Sequence, residues 1–188
     1  GAFQFTSQVP WIPRWGISYN VGIDGISVLL VLLTTVITPV AILGSYNYIK
    51  QREKTFYAMM LLLETGVVGV FVALDVFLFF MFWELMLVPN IDQYVQFYRR
   101  IYAAIKFFLY TAVGSLLMLV AILYLVFKYQ ALTGTISFAY EDLLHLSLTF
   151  REQVFLFSAF ALAFLIKVPV FPFHTWLPDA HVQAPTPG

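Results

Sequence analysis

The chain has 188 residues, of which 61% are hydrophobic and only 11% charged, and its ten basic and ten acidic side chains leave a formal net charge of zero. A soluble domain carries roughly 25% charged residues, so this chain could not cover itself in water and reads as an integral membrane protein. Zero net charge excludes a basic nucleic-acid surface. The absence of cysteine excludes disulfides, thiolate metal sites and thiol redox chemistry.

In chain order, residues 1–25 open with GAFQFTSQVPWIPRWGISYN and read as a mixed lead-in segment, without the basic region and cleavage pattern of a signal peptide. Five apolar stretches then come close to the length needed to cross ~30 Å of hydrocarbon as helices. They cover about 26–49, 56–74, 76–98, 101–127 and 152–174. The predicted fold is therefore an all-α integral membrane bundle of about five transmembrane helices over 26–188, the last one broken by prolines. Between the fourth and fifth stretches lies a loop in which TGTISFAY alternates like a strand. In the same loop EDLLHLSL has the pattern of a short amphipathic helical turn, with His145 a surface residue. The chain starts at Gly1 and stops at PTPG, and is expected to be a piece of a longer protein.

Basic residues in short loops set the expected orientation. Lys50, Arg52, Lys54, Arg99 and Arg100 fall on one side, and Arg14, Lys128 and Arg151 on the other. The first group places the 50–55 and 98–101 loops in the cytoplasm, so the lead-in segment and the 128–151 loop share the opposite side.

Against that apolar background, the charges inside the spans carry the functional reading. Glu84 lies in LDVFLFFMFWELMLVP and Lys167 in FLFSAFALAFLIKVPVFPFHTW. A charge in hydrocarbon costs at least ~2.5–3.5 kcal/mol, and such residues pair or line a watery path. Pro89, Pro169 and Pro172 lack the N–H that would serve the carbonyls of Leu85, Leu165 and Val168, so each charge is expected beside a loosened backbone. Interrupted helices at membrane depth occur where they line a cavity or are buried in protein. The bland alternatives are a static ion pair for Glu84 and a lysine snorkelling from a helix end for Lys167.

Lys106 shares a helical face with Tyr102 and Tyr110, continued by Gly114 as a close-approach position, and either snorkels or relays protons. Glu64, followed by Thr65, Gly66 and Gly69, is either a helix-packing carboxylate or a conducting one. His174 and His181, with Asp179 between them in HTWLPDAH, match no common zinc spacing and suit proton relay or loop architecture. No glycine-rich phosphate loop or nucleophile elbow stands out.

Three motifs, DVFLFFMFWELMLVP, RIYAAIKFFLYTAVGSLLML and IKVPVFPFHTWLPDAHVQAPT, resemble the antiporter-like membrane subunits of proton-pumping NADH:quinone oxidoreductase, respiratory complex I, of the chain M or subunit 4 type. WIPRWGISYNVGIDGIS and LLETGVVGVFVALD fit the same type, so the resemblance covers nearly the whole chain in collinear order. Mrp-type cation/proton antiporter subunits share the lysine–proline–histidine block.

The resemblance implies a fragment, the third to seventh helices, of a fourteen-helix fold built from two inverted five-helix repeats. It implies that Glu84, Lys167 and Lys106 form a proton relay in the input half of a channel, with His174, His181 and Glu64 as further relay candidates. It implies no cofactor and no metal in this chain, with NADH, FMN, iron–sulfur clusters and quinone held by partner subunits. The implied partners are membrane lipid, other membrane-arm subunits and protons. The implied setting is a bacterial inner membrane, or an organellar inner or thylakoid membrane. The competing readings are a cation/proton antiporter subunit with no redox partner and a non-conducting structural fragment. One stretch departs from the family: NIDQYVQFYRR comes directly after Pro89 where the pattern continues apolar, which puts the cytoplasmic half of the third span in doubt.

Overall fold

The computed structural model describes residues 3–47, 49, 52–89 and 100–178. It opens on an antiparallel hairpin of β1 (Gln4–Ile12) and β2 (Ile17–Ile23), so the all-α expectation fails for the lead-in segment. The turn explains why. Pro13 starts a single 3-10 turn over Pro13–Trp15, and Gly16 closes it at φ 65°, its N–H donating to the Pro13 carbonyl. Pro10, which cannot donate to a ladder, is tolerated because a two-stranded sheet is all edge.

Among the described residues the helices after the hairpin include α1 (Gly25–Ser45), α2 (Glu53–Val72), α3 (Val76–Leu85), α4 (Arg100–Thr133), α5 (Tyr140–Leu144) and α6 (Phe150–Lys167). Asp24 caps α1 in a capping box, its carboxylate accepting from the N–H groups of Ile26 and Ser27 while the Ser27 hydroxyl accepts from Asp24 N–H. Those hydrogen bonds hold the Asp24 carboxyl below the usual carboxylate range.

Among the described residues, α1, α2 and the 104–133 part of α4 are long and apolar enough to cross a membrane. These three correspond to the first, second and fourth of the about five spans expected from sequence. The apolar helix from Val76 is described as far as Pro89, with a turn at Met86, and the rest of the third expected span lies outside the described residues. Helix α6 has eighteen residues but carries Arg151, Glu152 and Lys167. Large apolar side chains point outward along the long helices, Ile26, Leu29, Leu33, Val36 and Val40 on α1 among them. The buried residues of that helix are Thr38 and Ser45. Apolar outside and small polar inside is the pattern of a surface solvated by hydrocarbon rather than water.

Glycines set how closely the helices meet. A Cβ on Gly69 would sit 2.3 Å from the Phe82 ring, and one on Gly66 would sit 2.8 Å from the Met86 side chain, so α2 lies directly against α3. Gly114 plays the close-approach part expected of it: a Cβ there would sit 3.1 Å from the Ala163 backbone and from the Ile166 side chain of α6. The main core gathers Ile17, Trp83, Met118, Ile122, Val126, Phe138 and Ala163. A second cluster joins Leu87, Ala104 and Phe107 to Trp176.

The hairpin and the 134–140 segment meet at one end of the bundle, as the shared side expected for the lead-in and the 128–151 loop requires. Gly16 touches the Ile136 backbone, Leu74 N–H donates to the Asn20 carbonyl and Val76 N–H to the Phe138 carbonyl. TGTISFAY forms no strand of its own. Only Ala139 bridges to Asp75, because the segment finds two helix ends rather than an open sheet edge to pair with. The amphipathic turn appears as α5, and His145 is exposed. Lys128, read as a loop charge, lies in α4, which continues to Thr133.

Candidate functional site

Helix α3 delivers Glu84 to the bundle interior from a fixed starting point. Asp75, 1% exposed, caps it by accepting from the N–H groups of Phe77 and Leu78 at 2.9 and 3.1 Å. Its other oxygen accepts from Ser18 N–H at 3.0 Å and the Ser18 hydroxyl at 3.4 Å. Nine residues on, about 13 Å along the axis at ~1.5 Å per residue, stands Glu84, half-buried.

Helix α6 delivers Lys167 from the same end of the bundle. Its start is a Thr149–Glu152 capping box, in which Glu152 accepts from the Thr149 N–H and hydroxyl at 2.6 and 2.7 Å. The second oxygen of Glu152 accepts from Tyr124 Oη at 2.5 Å and is ion-paired with Lys128, tying α6 to α4. Sequence reading missed this knot; the T-x-x-E spacing of 149–152 was its available signal.

Lys167 is the last residue of α6, a position where a cation also meets the negative end of the helix dipole. Its Nζ lies 4.7 Å from the centroid of the Trp83 ring and donates to the Trp83 carbonyl at 3.5 Å. Glu84 is the next residue along α3 and is half-buried. Among the described residues no hydrogen bond or ion pair joins it to Lys167. The expected association is therefore one of neighbourhood, with Trp83 as the group in contact.

At Leu165 the backbone differs from the expectation of a free carbonyl. Val168 N–H donates to the Phe164 carbonyl at 2.8 Å, and Val170 N–H reaches the Leu165 carbonyl at 3.0 Å. Pro169 has no N–H to offer Leu165, and the turn widens by one residue so that Val170 takes its place. The Ile166 carbonyl accepts from Trp176 Nε1 at 3.0 Å. Residues 168–176 form turns that fold back on α4, where Trp176 meets Phe107 at 4.9 Å and Thr175 bonds Tyr110 Oη at 2.6 Å.

The other candidates sit on separate elements. Lys106 is half-buried on α4, next to the Phe107 that meets Trp176. Glu64 is half-buried on α2, and among the described residues no hydrogen bond or ion pair reaches its carboxylate; Gly66 and Gly69 make the close contact with α3 instead. His174 lies against Phe171, with ring centroids 5.7 Å apart, and its buried Nδ1 has no hydrogen-bond partner among the described residues. His181 and Asp179 lie outside the described residues. No group of three or more His, Asp or Glu side chains placed to hold a metal occurs among the described residues.

Apolar-faced helices that bring a lysine and a glutamate to one interior place define the class: a polytopic membrane protein with ionisable side chains inside its helical bundle. Known proteins narrow it. Residues 73–188 match the family described as NADH:quinone oxidoreductase/Mrp antiporter, TM, and residues 2–70 match NADH-ubiquinone oxidoreductase chain 4, amino terminus. The chain belongs to this family of antiporter-like membrane subunits of NADH:quinone oxidoreductase.

It is 44% identical over 193 residues to NADH-quinone oxidoreductase subunit M of Escherichia coli K12, covering 99% of this chain and 38% of that protein. It is 41% identical over 189 residues to NADH-ubiquinone oxidoreductase chain 4 of Marchantia polymorpha, covering 99% and 37%. The chain thus spans less than two-fifths of the length of these curated relatives. Among solved structures, respiratory complex I from Thermus thermophilus with bound NADH superposes with a TM-score of 0.80 at 34% identity, over 96% of this chain and 37% of that one. The Mrp complex from Dietzia sp. gives 0.84 at 24% identity, over 97% and 20%, and shares the fold.

Proposed function

We propose that this chain is the third-to-seventh-helix portion of a fourteen-helix, proton-translocating membrane-arm subunit of NADH:quinone oxidoreductase. The observation that carries the reading is Lys167 at the end of α6, held against α3 one residue from Glu84. The hairpin and the 128–151 region face away from the cytoplasm, and protons enter from the cytoplasmic side. They reach Lys167 and move onward when the attraction of Glu84 weakens, because losing a nearby carboxylate lowers a lysine's affinity for its proton. Lys106 feeds Lys167, and His174, with an unpartnered buried nitrogen, His181 and Glu64 are further relay groups. Flavin, iron–sulfur clusters and quinone belong to partner subunits, and their redox chemistry drives the transfer.

The test replaces Lys167→Ala and, separately, Glu84→Gln in the full-length subunit within the assembled complex. Proton pumping driven by NADH oxidation in membrane vesicles is expected to fall at least tenfold, the effect of ~1.4 kcal/mol on a rate, while the complex still assembles. Undiminished pumping in either variant overturns the relay. The family also includes Mrp antiporters; cation-dependent proton exchange without NADH would assign the chain to that branch.

A further inference from the structure

Among the described residues, the ammonium of Lys167 makes two close contacts with a single residue, Trp83. Nζ lies 4.7 Å from the indole centroid and donates to the carbonyl of the same residue at 3.5 Å. The indole is held from three helices. Its Nε1 donates to the buried Ser115 hydroxyl of α4 at 3.3 Å, Phe79 of α3 stacks on it at 5.9 Å, and Phe164 of α6 meets it at 5.4 Å with its rings tilted by 61°. Trp83 itself is 9% exposed. A ring fixed in this way presents a face whose orientation does not depend on Lys167.

A cation within ~6 Å of an aromatic centroid is attracted by the ring quadrupole, most strongly by tryptophan and more so when water is excluded. Indole has a donor N–H and no acceptor for a proton. It therefore stabilises the charge of an ammonium without competing for what the ammonium carries. A carboxylate in the same place does both.

We infer that Trp83 is the positioning residue of the relay, a proton-inert cradle that holds the protonated Lys167 between transfers. The inference rests on the reading of Lys167 and Glu84 as a relay. In this arrangement the loaded lysine needs no direct pair with Glu84 to stay in the bundle. Its nearest acceptor is an amide carbonyl, which does not keep a proton, so the proton waits. Transfer breaks an N–H bond of Lys167 and forms an O–H bond on a water or carboxylate that reaches Nζ, leaving the electron pair on nitrogen and releasing the neutral amine from the indole face.

The experiment places mono-, di- and trifluorinated tryptophan at position 83 of the full-length subunit in the assembled complex. Fluorine withdraws electron density from the face with little change in shape. Pumping per NADH oxidised, normalised to assembled complex on native gels, is expected to decline stepwise, about tenfold over the series. Because fluorination also strengthens the N–H donor toward Ser115, the series is repeated with Ser115→Ala, where the same gradient is expected. A flat response overturns the cradle, even if Trp83→Leu abolishes pumping, since packing alone then accounts for the residue. Lys167→Ala and Glu84→Gln run beside it: undiminished pumping there overturns the relay itself, whereas their loss with a flat fluorine series overturns only the role of Trp83.

Discussion

A single carboxylate, Asp75, joins two parts of the molecule, accepting from α3 on one oxygen and from β2 on the other. Burial pushes its carboxyl above the ordinary 3.8, against the hydrogen bonds from Ser18, Leu78 and Phe77 that favour the charged form. The folded state therefore holds the proton more tightly than the unfolded chain, and the contribution of Asp75 to stability declines as pH rises from 3.8 through its raised value. In Asp75→Asn the pH-dependent part disappears, while an amide N–H₂ facing Ser18 N–H costs about 1–3 kcal/mol at every pH. Thermal midpoints of the detergent-solubilised complex, measured between about pH 4 and 8, are expected to be lower for the variant, with the deficit shrinking toward high pH. A constant deficit would show that Asp75 titrates alike in both states. Asp75 was invisible in sequence because its position in a three-residue connection looks like any turn. Glu84 and Lys167 stood out because a charge in a long apolar run has few innocent explanations.

Helix lengths were legible where apolar runs were long and unbroken, as in α1, α2 and α4. They were less so where prolines and charges interrupt, as beyond Met86 and Lys167. Contacts between elements were legible only as small residues without a partner named. Gly114 was read as a close-approach position and Gly66 and Gly69 only as small residues after Glu64; the structure supplies the residues opposite the last two, Met86 and Phe82. Their costs of substitution differ. A methyl on Gly69 enters the Phe82 ring at 2.3 Å, while one on Gly66 meets a flexible methionine at 2.8 Å. Gly69→Ala is expected to destabilise by about 1–3 kcal/mol, as overpacking does, and Gly66→Ala by less. Melting curves of the two variants check the order, and Phe82→Leu should recover part of the loss in Gly69→Ala but none in Gly66→Ala. Equal losses, or no recovery, would mean that α2 and α3 can move apart.

At the scale of the whole molecule, the hairpin and the segment after α4 fasten one end of the bundle from which α3 and α6 both set out. Gly16 is the tightest point of that fastening: its φ is 65°, and a Cβ would lie 2.1 Å from the Ile136 carbonyl oxygen, a backbone atom that cannot swing aside. Gly16→Ala should lift the hairpin off the 134–139 segment, seen as faster hydrogen exchange at the β2 amides, with α1 unchanged. Unchanged exchange in β2 would place the anchorage elsewhere, at Asp75 and Leu74. The sequence by itself determined that the chain lives in a membrane, roughly where its helices run, which family its motifs belong to, and that Glu84 and Lys167 are its costly charges. Those properties are local, set by composition, hydropathy over a helix length and motif spacing. Only the tertiary structure decided that the Asp75 carboxylate clasps β2 to α3, and that Lys167 rests on Trp83 rather than on Glu84. Both depend on which residues distant in sequence are brought together, which no linear pattern specifies.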